Sequence, residues 1–112
     1  MLSIALGLFT ITALMGVTLA TAVFKQKRSS RVLQLFHVCT AAVGSVLVII
    51  DAFTGDARVW INIGLAVVII LLGIWLGFQR ARGLHPKRLV AVHGGLAAIC
   101  YTILAYFAFV PR

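Results

Sequence analysis

The sequence predicts an all-α membrane protein, a four-helix up-down transmembrane bundle. Three observations carry this expectation. The 112 residues are 62% hydrophobic and only 11% charged, against roughly 45–50% and 25% in soluble domains. Four apolar stretches are each long enough, at about 1.5 Å of rise per residue, to cross a hydrocarbon core about 30 Å thick. Ten Lys and Arg stand against two acids, and most of these cations fall in two short runs between the stretches. Such a balance excludes a disordered chain, a secreted disulfide scaffold and a conventional soluble enzyme.

Taken in order, residues 1–112 form a single transmembrane domain with spans at about 1–24, 32–53, 59–78 and 89–110. Each span is expected to be helical, because a backbone in lipid must satisfy its own hydrogen bonds. The first connection carries Lys25, Lys27, Arg28 and Arg31, and the third carries Arg80, Arg82, Lys87 and Arg88. On the other side stand only Arg58 and Arg112. Short loops rich in Lys and Arg stay in the cytoplasm. The chain is therefore expected in the inner (plasma) membrane, with basic loops cytoplasmic and both termini outside. Ala20-Thr21-Ala22 has the small residues of a cleavage site, but the cations follow the apolar run instead of preceding it, so span one reads as a retained helix.

The basic runs lie beside membrane spans, with no domain to shape a groove. They point to contact with anionic lipid of the bilayer and not to nucleic acid. Cys39 and Cys100 lack CxxC spacing and sit at different depths, so no disulfide is expected.

Short connections make sequential helices antiparallel neighbours. Small residues let helices approach in lipid, and the chain offers Gly73-x-x-x-Gly77 with Gly64, Gly7 and Gly16 with Ala20, and Gly94-Gly95. Packing within one chain and a homodimer both account for them. Trp60, Tyr106, Phe107 and Phe109 fit an aromatic belt. No internal repeat stands out, although spans two and four share one feature.

That feature is His37 and His93. Each lies about one and a half turns into its span from the basic side, on helices that run parallel and occupy a diagonal of the bundle. Two imidazoles at one depth across a bundle are how four helices hold a six-coordinate haem. Ala41 and Gly44 follow His37 at i+4 and i+7, Ala97 follows His93 at i+4, and Gly94 is adjacent to it. These small side chains, with Trp75, are expected to line the cofactor. Thr18, Thr21 and Gln34 lie at similar depth, and haem propionates would face the basic loops. A histidine in a membrane helix also serves simply to hydrogen-bond a neighbouring helix, and that reading stands beside the ligand one. His85, in the basic loop beside Pro86, reads as interfacial.

A four-helix bundle with one histidine each on helices two and four resembles the small haem-b membrane cytochromes with bis-histidine ligation. The stretch LHPKRLVAVHGGLA is also similar to segments of uncharacterised four-span bacterial membrane proteins. The first resemblance implies one haem b near the cytoplasmic side, its iron held by His37 and His93. Diheme relatives carry four such histidines, whereas this chain has none in the outer half of any span.

Other chemistries lack their residues. Small multidrug transporters share this length and helix number but use a glutamate in the first helix, and this chain contains no glutamate. Asp51 is the one acid within a span, near its outer end, where it reads as a solvated or paired terminal group close to Arg58 and Asn62. A Ser/His/Asp set would need groups that lie near opposite surfaces to converge. Two classes remain. One is a b-type cytochrome exchanging electrons with a quinol or a partner subunit, with Gln34 as a candidate quinone contact. The other is a cofactor-free accessory subunit of a larger, respiratory-type membrane complex.

Overall fold

The computed structural model describes all residues from Met1 to Arg112 and is entirely helical. Its helices are α1 (Leu2–Phe24), α2 (Arg31–Thr54), α3 (Trp60–Ala81) and α4 (Lys87–Phe109), with a short 3-10 turn, Ala57–Val59, before α3. All four are long and apolar enough to cross a membrane. The molecule measures 44 Å along its longest axis, which exceeds the roughly 30 Å of a hydrocarbon core.

The helix ends follow local chemistry more than hydropathy. Ser30 caps α2, its Oγ accepting from the Leu33 N–H at 3.2 Å. Asp56 caps the 3-10 turn by accepting from the Arg58 N–H. At the basic end the helices outrun the apolar stretches: α3 runs to Ala81, past Phe78, and α4 starts at Lys87, before Leu89. Gln79, Arg80 and Ala81 are good helix formers, so the helix continues past the apolar run. It stops where Gly83 turns left-handed, at φ 77°. There Leu84 N–H reaches the Gln79 carbonyl and Gly83 N–H the Arg80 carbonyl, the paired bonds of a Schellman terminus. α1 ends the same way, with Gln26 left-handed at φ 55°. A glutamine there pays a steric cost that glycine avoids.

In the bundle, α1 packs against α2 and α4, and α3 packs against α4 and, more sparsely, α2. The diagonal pairs α1/α3 and α2/α4 make no backbone approach within 8 Å. Along α1 and α2 the contacts run in opposite senses: Thr12 meets Thr40, and the Phe9 ring packs on Gly44. The core of Ala5, Leu6, Val48, Ala52, Val59 and Leu104 lies toward the end that carries the 3-10 turn. At that end Arg58 pairs with Asp56 at 2.7 Å and donates to the carbonyls of Phe107 and Val110. Arg58 also stacks on the Phe107 ring, and Trp60 packs edge-on to Phe53. The opposite, basic end is joined through Arg80. Its guanidinium donates to Ser29 Oγ, to the carbonyls of Lys27 and Leu84 and to His85 Nδ1.

Only 12 of the 112 residues are buried. The helices therefore turn most of their apolar side chains outward, a surface that suits lipid and not water.

Candidate functional site

His37 and His93 are both half-buried, and each is held by the preceding helix of its own hairpin. His37 Nδ1 lies 2.9 Å from the Thr12 carbonyl of α1. His93 Nδ1 lies 3.0 Å from the Ile69 carbonyl of α3. A carbonyl can only accept, so Nδ1 carries the proton and Nε2 of the neutral ring keeps a lone pair.

One turn further along, each ring meets a glycine. A Cβ on Gly16 would stand 3.1 Å from His37 Cε1, and one on Gly73 would stand 3.0 Å from His93 Cε1. The two units thus share a donor nitrogen, an acceptor carbonyl and a glycine four residues beyond the acceptor. Thr12 also hydrogen-bonds Thr40 at 2.7 Å, so α1 grips α2 at two atoms of one residue.

These units expose an internal repeat that the sequence reading missed. Thr12 and Ile69 stand 57 positions apart, as do Gly16 and Gly73, and as do the left-handed residues Gln26 and Gly83; His37 and His93 stand 56 apart. In that register Gly7 aligns with Gly64, Leu8 with Leu65, Leu14 with Leu71 and Leu19 with Leu76. On the second helix of each hairpin, H-x-x-x-A-A recurs as His37, Ala41, Ala42 and as His93, Ala97, Ala98. The signal was visible as two Gly-x8-Gly spacings, Gly7 with Gly16 and Gly64 with Gly73.

The remaining expected site residues are distributed as follows. Ala41 and Ala97 are half-buried one turn after their histidines. The space beside Gly44 is filled by the Phe9 ring, and Gly94 faces open space. Trp75 is 56% exposed and lines a groove between α3 and α4 with His85. Gln34 is half-buried, one turn before His37. Thr18 and Thr21 donate back to the Leu14 and Val17 carbonyls of their own helix. Of the proposed close-approach glycines, Gly7, Gly64, Gly77, Gly94 and Gly95 meet no other helix, so only Gly16, Gly44 and Gly73 serve that purpose within the chain.

Asp51 lines a cavity of about 300 Å³ with Asp56, Arg58 and Arg112. Arg58 pairs with Asp56 and not with Asp51. Asn62 is buried and donates to the Cys100 carbonyl of α4 at 2.8 Å. Both cysteines are free thiols.

Comparison with protein-family models, curated proteins and solved structures finds no match.

Proposed function

We propose that this chain is an up-down four-span protein of the inner (plasma) membrane, with basic connections cytoplasmic and termini outside, and that it is a b-type cytochrome. In this reading one haem b sits between α2 and α4, with His37 and His93 as its axial ligands. The observation that carries the reading is the duplicated unit: two histidines on diagonal helices, each with Nδ1–H tied to a carbonyl and Nε2 left with its lone pair. Tying the far nitrogen of a ligating histidine to an acceptor fixes its tautomer and raises its basicity.

The donor set fits the group, since each imidazole is held through Nδ1 by a carbonyl and keeps Nε2 for a ligand bond. Gly16 and Gly73 seat the imidazoles themselves, a Cβ there standing 3.1 and 3.0 Å from Cε1 of His37 and His93. Haem, when bound, supplies a one-electron couple whose potential follows its axial ligands and surroundings. The chain's own part is to orient two imidazoles, exclude water with apolar helices and turn the propionate edge toward the basic end. A single cofactor near one face suits lateral exchange, with a quinol beside Gln34 or with a redox centre of a neighbouring subunit.

An ultraviolet-visible spectrum of the purified protein tests this. A low-spin haem spectrum is expected, lost in His37→Ala and in His93→Ala and kept in His85→Ala. A colourless protein after expression with excess haem, or unchanged spectra in both single variants, would overturn it and leave the cofactor-free accessory subunit.

A further inference from the structure

At the basic end, between α3 and α4, lies an open groove of about 570 Å³ that the histidine units do not use. Its walls are apolar and come from one face of each helix: Leu72 and Trp75 of α3, Leu89 and Val92 of α4. Each pair is three residues apart, the spacing that stacks side chains along a helix surface. The rim is polar and cationic, formed by His85, Lys87 and Arg88. α4 begins at this rim with no side-chain cap on its first turn.

Charge selects the occupant. Both acids of the chain, Asp51 and Asp56, line the cavity at the opposite end of the molecule. The neighbouring Arg80 is committed to Ser29, His85 and the carbonyls of Lys27 and Leu84. Lys87 and Arg88 have no acid within the chain to answer them, since the one ion pair is Arg58–Asp56. Their counter-charge comes from outside the chain, and beside a bilayer its densest source is the phosphodiester of anionic lipid. An apolar wall under a cationic rim matches both halves of such a molecule. A zwitterionic lipid would bring a cation of its own beside the phosphate and leave the net charge of the rim unbalanced, and a quinone would bring no anion at all.

We propose that this groove binds one anionic phospholipid, its phosphate at Lys87, Arg88 and His85 and its upper acyl chain along Leu72, Trp75, Leu89 and Val92. The proposal stands apart from the haem reading and needs no cofactor.

The groove carries its own reporter. The chain has two tryptophans, so Trp60→Phe leaves Trp75 as the only one. That protein, full length, is reconstituted into phosphatidylcholine vesicles containing a minor fraction of dibrominated phosphatidylglycerol, or the same fraction of dibrominated phosphatidylcholine. Bromine quenches indole on contact. Quenching of Trp75 by the brominated phosphatidylglycerol is expected to exceed that by the brominated phosphatidylcholine about twofold or more, since basic residues enrich anionic lipid beside them. Adding Lys87→Gln and Arg88→Gln should bring the two lipids level, while Lys27→Gln with Arg28→Gln should keep the preference. Inorganic phosphate at constant ionic strength should leave it unchanged. Equal quenching by both lipids in the parent, or a preference that survives loss of Lys87 and Arg88, would overturn the proposal. So would a preference erased equally by the Lys27 and Arg28 changes, which would mean diffuse surface charge, or one displaced by phosphate, which would mean a free-anion site.

Discussion

A Cβ on Gly73 would stand 3.0 Å from Cε1 of His93, whose Nδ1 is already tied to the Ile69 carbonyl at 3.0 Å. The ring cannot move off without giving up that bond, so the glycine and the hydrogen bond depend on each other. Gly16 and His37 repeat the relationship, with the Thr12 carbonyl as acceptor. Overpacking at such a contact costs about 1–3 kcal/mol. Gly16→Val and Gly73→Val should each lower stability by that order. Gly64→Ala and Gly77→Ala point into open space and should be neutral or stabilising by up to about 1 kcal/mol, the helix-propensity gain. Thermal unfolding in detergent, followed by circular dichroism, separates the two pairs. Equal losses at all four positions would refute the link to histidine.

Helix number and approximate position were legible because four apolar runs, each long enough to cross a membrane, are set apart by short charged connections. Helix ends were less so. At Phe78 the apolar run stops while the backbone, supported by Gln79, Arg80 and Ala81, does not. His37 and His93 were legible as a pair through their shared depth, but their partners were not. The acceptors are the carbonyls of Thr12 and Ile69, and a backbone atom leaves no trace in residue type. Gly73 read as half of a Gly-x-x-x-Gly motif because the rotation of α3, which turns Gly73 to His93 and Gly77 to open space, is a tertiary fact. The cationic groove at Lys87 and Arg88 was equally hidden, since it exists only once α3 and α4 lie side by side.

Arg80 joins the two basic connections, with Nη2 2.5 Å from the Lys27 carbonyl and 2.7 Å from Ser29 Oγ. Arg80→Ala should release the segment from Lys25 to Ser29 while leaving the helices intact. Limited trypsin digestion should then cut after Lys27 or Arg28 several-fold faster than in the parent, because cleavage follows local opening. Ser29→Ala, which leaves the bonds to the Lys27 and Leu84 carbonyls, should have a smaller effect. An unchanged digestion rate in Arg80→Ala would show that the connection is held by something else.

Asp56 is buried at 4% exposure, and Arg58 faces it with two guanidinium nitrogens. The hydrogen bonds from Arg58 hold its carboxyl below the usual carboxylate range, against the opposing effect of burial. A pKa lower in the folded than in the unfolded chain means that the carboxylate stabilises the fold fully above the unfolded value of about 3.9. The contribution is lost as pH falls through the lowered folded value. Asp56→Asn should therefore lower the unfolding midpoint by a constant amount between about pH 5 and pH 8, and its difference from the parent should shrink below about pH 4. A difference that grows on acidification would contradict the assignment. Asp51→Asn, at a residue that takes no part in this pair, serves as the comparison.

Asn62 is 3% exposed on α3, its Nδ2 donating to the Cys100 carbonyl of α4 at 2.8 Å while its Oδ1 has no partner. Two opposing effects meet in this one side chain. The bond to Cys100 is worth about 0.6 kcal/mol if it behaves like the average interhelical bond in a membrane protein. The unanswered Oδ1 costs about 1–3 kcal/mol. The second is larger, so the near-isosteric Asn62→Leu should be neutral or stabilising, since the Cys100 carbonyl keeps its place in the α4 hydrogen-bond ladder. Asn62→Asp replaces the donor with a second acceptor, aims it at a carbonyl and adds a charge that burial penalises. It should be the most destabilising of the two by well over about 1 kcal/mol. Unfolding midpoints of the parent and both variants in one detergent decide the matter. If Asn62→Leu falls as far as Asn62→Asp, the bond to Cys100 outweighs the buried oxygen, and Oδ1 has found an acceptable partner such as an internal water.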